Sequence, residues 1–107
     1  MTERASDRHR ERLEALGAAI LDGPGVLETG VRGSAAKNDG VPAAFEAFVK
    51  TIHRQAYRVT DEDVAALRSA GADQDQIFEI VISAAYGAAL ERVQAGLNAV
   101  REIEDAT

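Results

Sequence analysis

The chain has 107 residues, 46% of them hydrophobic and 28% charged, with no cysteine and a formal net charge of −6. Such a length predicts a single domain with a modest core, and this apolar share excludes disorder throughout. The acidic balance argues against general nucleic-acid binding, which needs clustered Lys and Arg, and the lack of cysteine rules out disulfides, thiol catalysis and thiolate-held metal.

Met1 to Arg10 carry mixed charge and no apolar stretch, so the start of the chain does not read as a secretion signal. No run of about 18 apolar residues follows, so no membrane span is expected, and the expected location is the cytoplasm. The spacing predicts a helix over residues 7–21, with Leu13, Leu16 and Ile20 on one stripe and His9 beside them. Arg4, Arg8, Arg10 and Arg12 alternate with Glu3, Asp7, Glu11 and Glu14, which reads as a solvated helix face rather than a binding patch. Asp22-Gly23-Pro24-Gly25 stops that helix.

Residues 26–37 carry Leu27, Val31 and Ala35 at intervals of four, a short helix weakened by Gly30 and Gly33. The glycines do not form a phosphate-binding loop, because neither Gly-x-Gly-x-x-Gly nor Gly-x-x-x-x-Gly-Lys-Ser/Thr is present and no strand precedes them. No cofactor is expected. Lys37-Asn38-Asp39-Gly40 reads as a turn. Pro42 then fits the first position of a helix over 42–57, whose stripe is Phe45, Phe48, Val49, Ile52 and Ala56.

Thr60 and Asp63 form a capping-box variant that opens a helix over 61–70, burying Val64 and Leu67. Gly71 fits the left-handed residue that ends it, and Asp73 with Gln76 caps the next helix. That last helix, over 74–104, has two regimes. From Ile77 to Leu90 it is nearly apolar all round, apart from Glu79 and Ser83, and such a helix must be surrounded by protein. From Tyr86 the pattern narrows to Tyr86, Leu90, Val93, Leu97 and Val100, a seam of alternating four- and three-residue steps, within the subunit or between copies. No segment alternates with period two. The reading is an all-α chain of four to five helices with a long C-terminal one, assembling as a homo-oligomer through residues 77–100.

The run Val59-Thr60-Asp61-Glu62-Asp63-Val64, then Leu67-Arg68-Ser69-Ala70-Gly71, is followed by Asp73, Ile77, Phe78, Glu79, Ala84-Ala85, Arg92 and Leu97. In these features residues 57–97 resemble the C-terminal half of proteins in the carboxymuconolactone decarboxylase and alkylhydroperoxidase-D-like superfamily. A weaker likeness reaches back to Phe45 and Phe48, so that 42–104 reads as the family-like core and 1–40 carries no family signature. The resemblance implies an all-α subunit that assembles into dimers, trimers or hexamers. The peroxidase branch works through a Cys-x-x-Cys pair with a Glu and a His, chemistry that a chain without cysteine cannot perform. A separate Cys-bearing relative is then an expected partner. The decarboxylase branch needs no thiol, so an acid–base lyase stays open.

A lyase would require a His or carboxylate against the substrate and a cation for its carboxylate. The candidates are His53 and Glu79 for proton transfer, with Tyr57, Tyr86 and Arg92 as ligand-binding groups and Arg54 and Arg58 nearby in sequence. Each also has a structural reading. His53 sits near a helix end, where it can pack and cap carbonyls. The tyrosines fit core positions with a bonded hydroxyl, and the two phenylalanines fit core anchors. Glu79, a carboxylate in an apolar segment, is explained by the helix dipole or by pairing with Arg58 or Arg92. Asp61-Glu62-Asp63 and Asp73-x-Asp75 lack the rest of a calcium loop and read as caps, so no metal is expected. Three readings remain: a non-catalytic oligomeric helical protein, a thiol-free lyase, and a small-ligand carrier with a pocket between the Phe45/Phe48 helix and the Tyr86 helix.

Overall fold

The computed structural model describes residues 2–106, with side chains from Arg8 onward. Five α-helices follow one another: α1 Thr2–Asp22, α2 Thr29–Lys37, α3 Ala43–Gln55, α4 Asp61–Ser69 and α5 Gln74–Ala106. A 3-10 turn, Ala56–Arg58, follows α3, and there is no strand among the described residues. Among the described residues no helix is long and apolar enough to cross a membrane. The charge alternation expected at Glu3, Arg4 and Asp7 involves side chains outside the described residues.

The helix ends follow local chemistry. Thr60 Oγ1 accepts from the Asp63 amide at 3.2 Å and Asp63 Oδ2 accepts from the Thr60 amide at 2.9 Å, a complete capping box. Asp73 and Gln76 repeat the exchange at 2.9 and 3.0 Å ahead of α5. Gly71 has φ +103°, and around it the Ala72 amide bonds the Leu67 carbonyl while the Gly71 amide bonds that of Arg68, which closes α4 in a Schellman motif. Asn38, with φ 56°, ends α2 in the same left-handed conformation. Pro42 is the residue before α3 rather than its first helical residue. Its extended ψ holds it outside the helix, while its carbonyl accepts the Phe45 amide.

The core lies between α5 and the α2–α3 pair. Ile77, Ile80 and Ala84 of α5 meet Ala35 of α2 and Phe48, Val49 and Ile52 of α3, with Leu27 and Leu67 closing the ends. Phe45, Val31 and Val64 pack half-buried against this cluster. The small residues set the spacing: Gly87 lies directly under the Ala36 backbone, so α2 and α5 cross with almost nothing between them. The short α2, which its glycines make a poor helix alone, therefore owes its stability to tertiary packing.

α1 lies antiparallel beside α5 and holds it more loosely. The Tyr86 hydroxyl donates to the Leu13 carbonyl at 3.0 Å, and the Tyr86 ring seats on Gly17. Nearer the start of α5, the loop after α1 reaches Glu79. Leu13 and Ile20 are half-buried and Leu16 is exposed, so the α1 stripe faces a groove rather than the core. From Glu91 onward every described residue of α5 is exposed. A helix of this length spans about 50 Å, which accounts for the 54 Å long axis of a molecule only 28 and 22 Å across.

Among the described residues, the apolar-all-round segment of α5 is not enclosed on every side. Ile77, Ile80, Ala84 and Ala88 are buried, whereas Phe78 is 63% exposed and Val81 and Ile82 are also open. The core contacts from α2 and α3 cover one side of α5.

Candidate functional site

Glu79 sits in the second turn of α5 and reaches back to the loop between α1 and α2. Its two carboxylate oxygens accept the amides of Val26 at 2.8 Å and Leu27 at 3.2 Å. Gly25 allows this approach, since a side chain there would overlap the carboxylate. The Arg32 guanidinium comes within 4.0 Å of the same carboxylate, with only 5% of the Arg side chain and 16% of the Glu side chain exposed. Arg32 also donates from Nη1 to the Ile20 carbonyl at 3.0 Å, capping the C-terminal turn of α1. The carboxylate is thus bonded to two amides and faces a buried cation, and that cation is Arg32 rather than Arg58 or Arg92. The Arg32–Glu79 pair fastens α1, the loop, α2 and α5 at one point.

His53 lies on a different part of the fold. Its Nε2 donates to the Ala35 carbonyl at 2.7 Å, so the bonded tautomer carries its proton there. Nδ1 is buried and unbonded, with Glu91 Oε2 at 4.0 Å. Arg92 donates from Nη2 to the His53 carbonyl at 3.2 Å, capping the end of α3. His53 is therefore a tie between α3 and the last turn of α2, and Arg92 a tie between α5 and α3.

These two clusters do not meet. Glu79 and Glu91 are separated by three turns of α5, about 18 Å, and His53 stands at the level of Glu91 and Arg92. No substrate atom can touch both His53 Nδ1 and the Glu79 carboxylate at hydrogen-bond distance. Tyr57 belongs to neither cluster: it is 80% exposed, not a core residue, because the switch from α3 to the 3-10 turn breaks the helical period that would have carried it inward. Among the described residues no three His, Asp or Glu side chains are grouped to hold a metal ion.

One hollow has an apolar lining, and it lies elsewhere than between α3 and α5. Leu13, Leu16 and Ile20 of α1 form one wall; Ile82, Ala85, Tyr86, Ala89, Leu90 and Val93 of α5 form the other, around a volume of about 380 Å³. Of the sequence-predicted ligand-binding residues, Tyr86 lines it and Tyr57 and Arg92 do not. Phe45 and Phe48 also stay out of it, being packed into the core. Two features escaped the sequence reading: Arg32, and the open α1 wall. Arg32 carried a readable signal, since it lies between Val31 and Ala35 in a stretch patterned for burial and Glu79 needed a cation. Leu16 carried none, because an exposed groove and a buried core share the same stripe.

Comparison of this chain with protein-family models, curated proteins and solved structures finds no match.

Proposed function

We propose that this chain is a non-catalytic oligomeric helical protein, built on an alkylhydroperoxidase-D-like half-module, whose working surface is the apolar α1–α5 groove. The observation that supports this reading is the separation of the chemistry from the open surface. His53 and Glu79 are each engaged in bonds that join helices, on different turns of α5, while the groove between α1 and α5 presents aliphatic side chains and the Tyr86 ring to solvent. A catalytic pair would need the reverse arrangement, with reactive groups converging on a cleft. Thiol chemistry in the assembly would belong to a separate Cys-bearing relative.

The test is an assay of the purified protein on a panel of lactone acids. No turnover is expected. Turnover that disappears in His53→Ala, with the helical signal of the wild type retained, would replace this reading by the thiol-free lyase. A carrier is the second reading, favoured by the hollow itself, whose volume falls in the range of small-molecule sites, about 300–1,000 Å³. It requires the melting temperature to rise with an apolar acid, and flat melting curves across such a panel remove it.

A further inference from the structure

We propose that His53 is a proton-operated tie between α3 and α5. When the ring takes a second proton, Nδ1 donates it to the Glu91 carboxylate and fastens the root of the exposed length of α5 to the body of the subunit. This goes beyond the reading of the α1–α5 groove and does not rest on it.

The bond to Ala35 fixes the ring. A carbonyl only accepts, so the proton of the neutral imidazole sits on Nε2, 2.7 Å from the Ala35 oxygen. Nδ1 is then a bare acceptor, buried and without a donor. What faces it is another acceptor, Glu91 Oε2 at 4.0 Å. Two acceptors thus stand across a gap that a proton would bridge. The His53 side chain is 5% exposed and the Glu91 side chain 64%, so the movement falls to the carboxylate. A rotamer change of that exposed side chain brings the gap to the length of a charge-assisted bond, about 2.7–2.9 Å, while the ring stays on Ala35.

Hydrogen bonding favours the protonated ring and burial opposes it. With two protons both nitrogens have acceptors, Ala35 and Glu91, whereas the neutral ring leaves Nδ1 buried and unpaired. Desolvation disfavours the cation. Against that cost stand the Glu91 charge and the Ala35 carbonyl, which lies in the last turn of α2, where the helix dipole favours a cation. Arg92, the other charged group that α5 brings here, donates to the His53 carbonyl and opposes a second positive charge. Lys37 of α2, Lys50 and Arg54 of α3 and Arg58 of the 3-10 turn are exposed, so solvent and salt screen them.

The position of the tie gives it a consequence. From Glu91 onward every described residue of α5 is exposed, so Glu91 and Arg92 stand where the helix leaves its cover. Arg92 holds that point to the end of α3 through one bond to a backbone carbonyl. Protonation of His53 adds a second bond beside it. It draws α5 to the ring that already joins α3 to α2. An imidazole changes charge between about pH 5 and 8, so the root of α5 is held more firmly on the acid side of neutrality than on the alkaline side.

The chain has two histidines, so NMR can follow each imidazole through a pH titration. His9, exposed on α1, is the reference in the same spectra. Glu91→Ala removes the charge and the acceptor from an exposed position, where the helix is retained. It is expected to lower the His53 titration midpoint by about half a pH unit, roughly threefold in proton affinity, the scale of an ion pair with one exposed partner. The His9 midpoint should stay where it is. Arg92→Gln, which removes the facing cation, should move His53 the other way. The same linkage appears in urea denaturation. Glu91 favours the protonated ring of the folded chain, so the advantage of wild type over Glu91→Ala should be larger at about pH 5 than at about pH 8. A His53 midpoint that is the same in wild type and Glu91→Ala would overturn the proposal. So would an equal stability difference at the two pH values, or a neutral ring that carries its proton on Nδ1.

Discussion

Glu79→Ala is expected to lower the unfolding free energy by about 3–5 kcal/mol, the cost of breaking a buried ion pair from one side. The substitution leaves Arg32, 4% exposed, without its carboxylate, and it leaves the Val26 and Leu27 amides without their acceptors. Hydrogen bonds to charged groups stabilise by about 1.5–3 kcal/mol each, so the two lines of argument agree in scale. Glu79→Gln should be milder, since one amide oxygen can still accept from the loop. Urea denaturation of the three proteins checks the order and the size. The magnitude also decides between two explanations of a carboxylate in an apolar helix. Helix-dipole stabilisation is worth only about 0.3–1 kcal/mol for an exposed group. A loss within that range would show that the dipole suffices and that the loop is held by something else. Arg32→Leu together with Glu79→Leu completes the cycle, and the double variant should lose less than the sum of the two singles, because neither charge is then left alone.

The parts of this fold that were legible in the sequence are those whose partners lie within one helical turn. Thr60 with Asp63 and Asp73 with Gln76 are bonded as their spacing predicts, and Gly71 has the positive φ expected of it. The helix positions followed from periodicity, and the long final helix stood out by its length and by its change of pattern near Tyr86. Tertiary partners were not legible. Arg32 with Glu79, His53 with Ala35, and Tyr86 with Leu13 join residues between 18 and 73 positions apart, and no local rule links them. Tyr57 shows how a correct pattern misleads at its edge. The helix that ends at Gln55 is real, but two residues later the backbone has left the α conformation and the side chain points to solvent. The segment 77–90 was legible as an anomaly. Its apolar surface was read as needing cover, and in the structure Phe78, Val81 and Ile82 stay exposed.

Gly87→Ala and Gly96→Ala should have opposite effects, although both glycines lie inside the same helix. Alanine is the better helix former by about 1 kcal/mol, and at Gly96 nothing lies within 4 Å of the position its Cβ would take. Gly96→Ala should therefore stabilise the subunit by about that amount, read as a rise in the urea midpoint with an unchanged slope. At Gly87 the same Cβ would overlap the carbonyl of Ala36 and press on its Cα. Those are backbone atoms, which cannot swing aside as the end of a side chain can. α2 must then move off α5, opening the contacts of Ala35 and Ala84 in the centre of the core. Overpacking of this kind costs about 1–3 kcal/mol and sometimes more, which exceeds the propensity gain and reverses the sign. Equal stabilisation by both substitutions would mean that α2 does not rest on α5 at Gly87. In that case Ala35 would no longer be fixed, and the bond from His53 to its carbonyl would lose its anchor. The contrast thus tests whether the closest crossing in the fold, and the placement of His53 that depends on it, are those described.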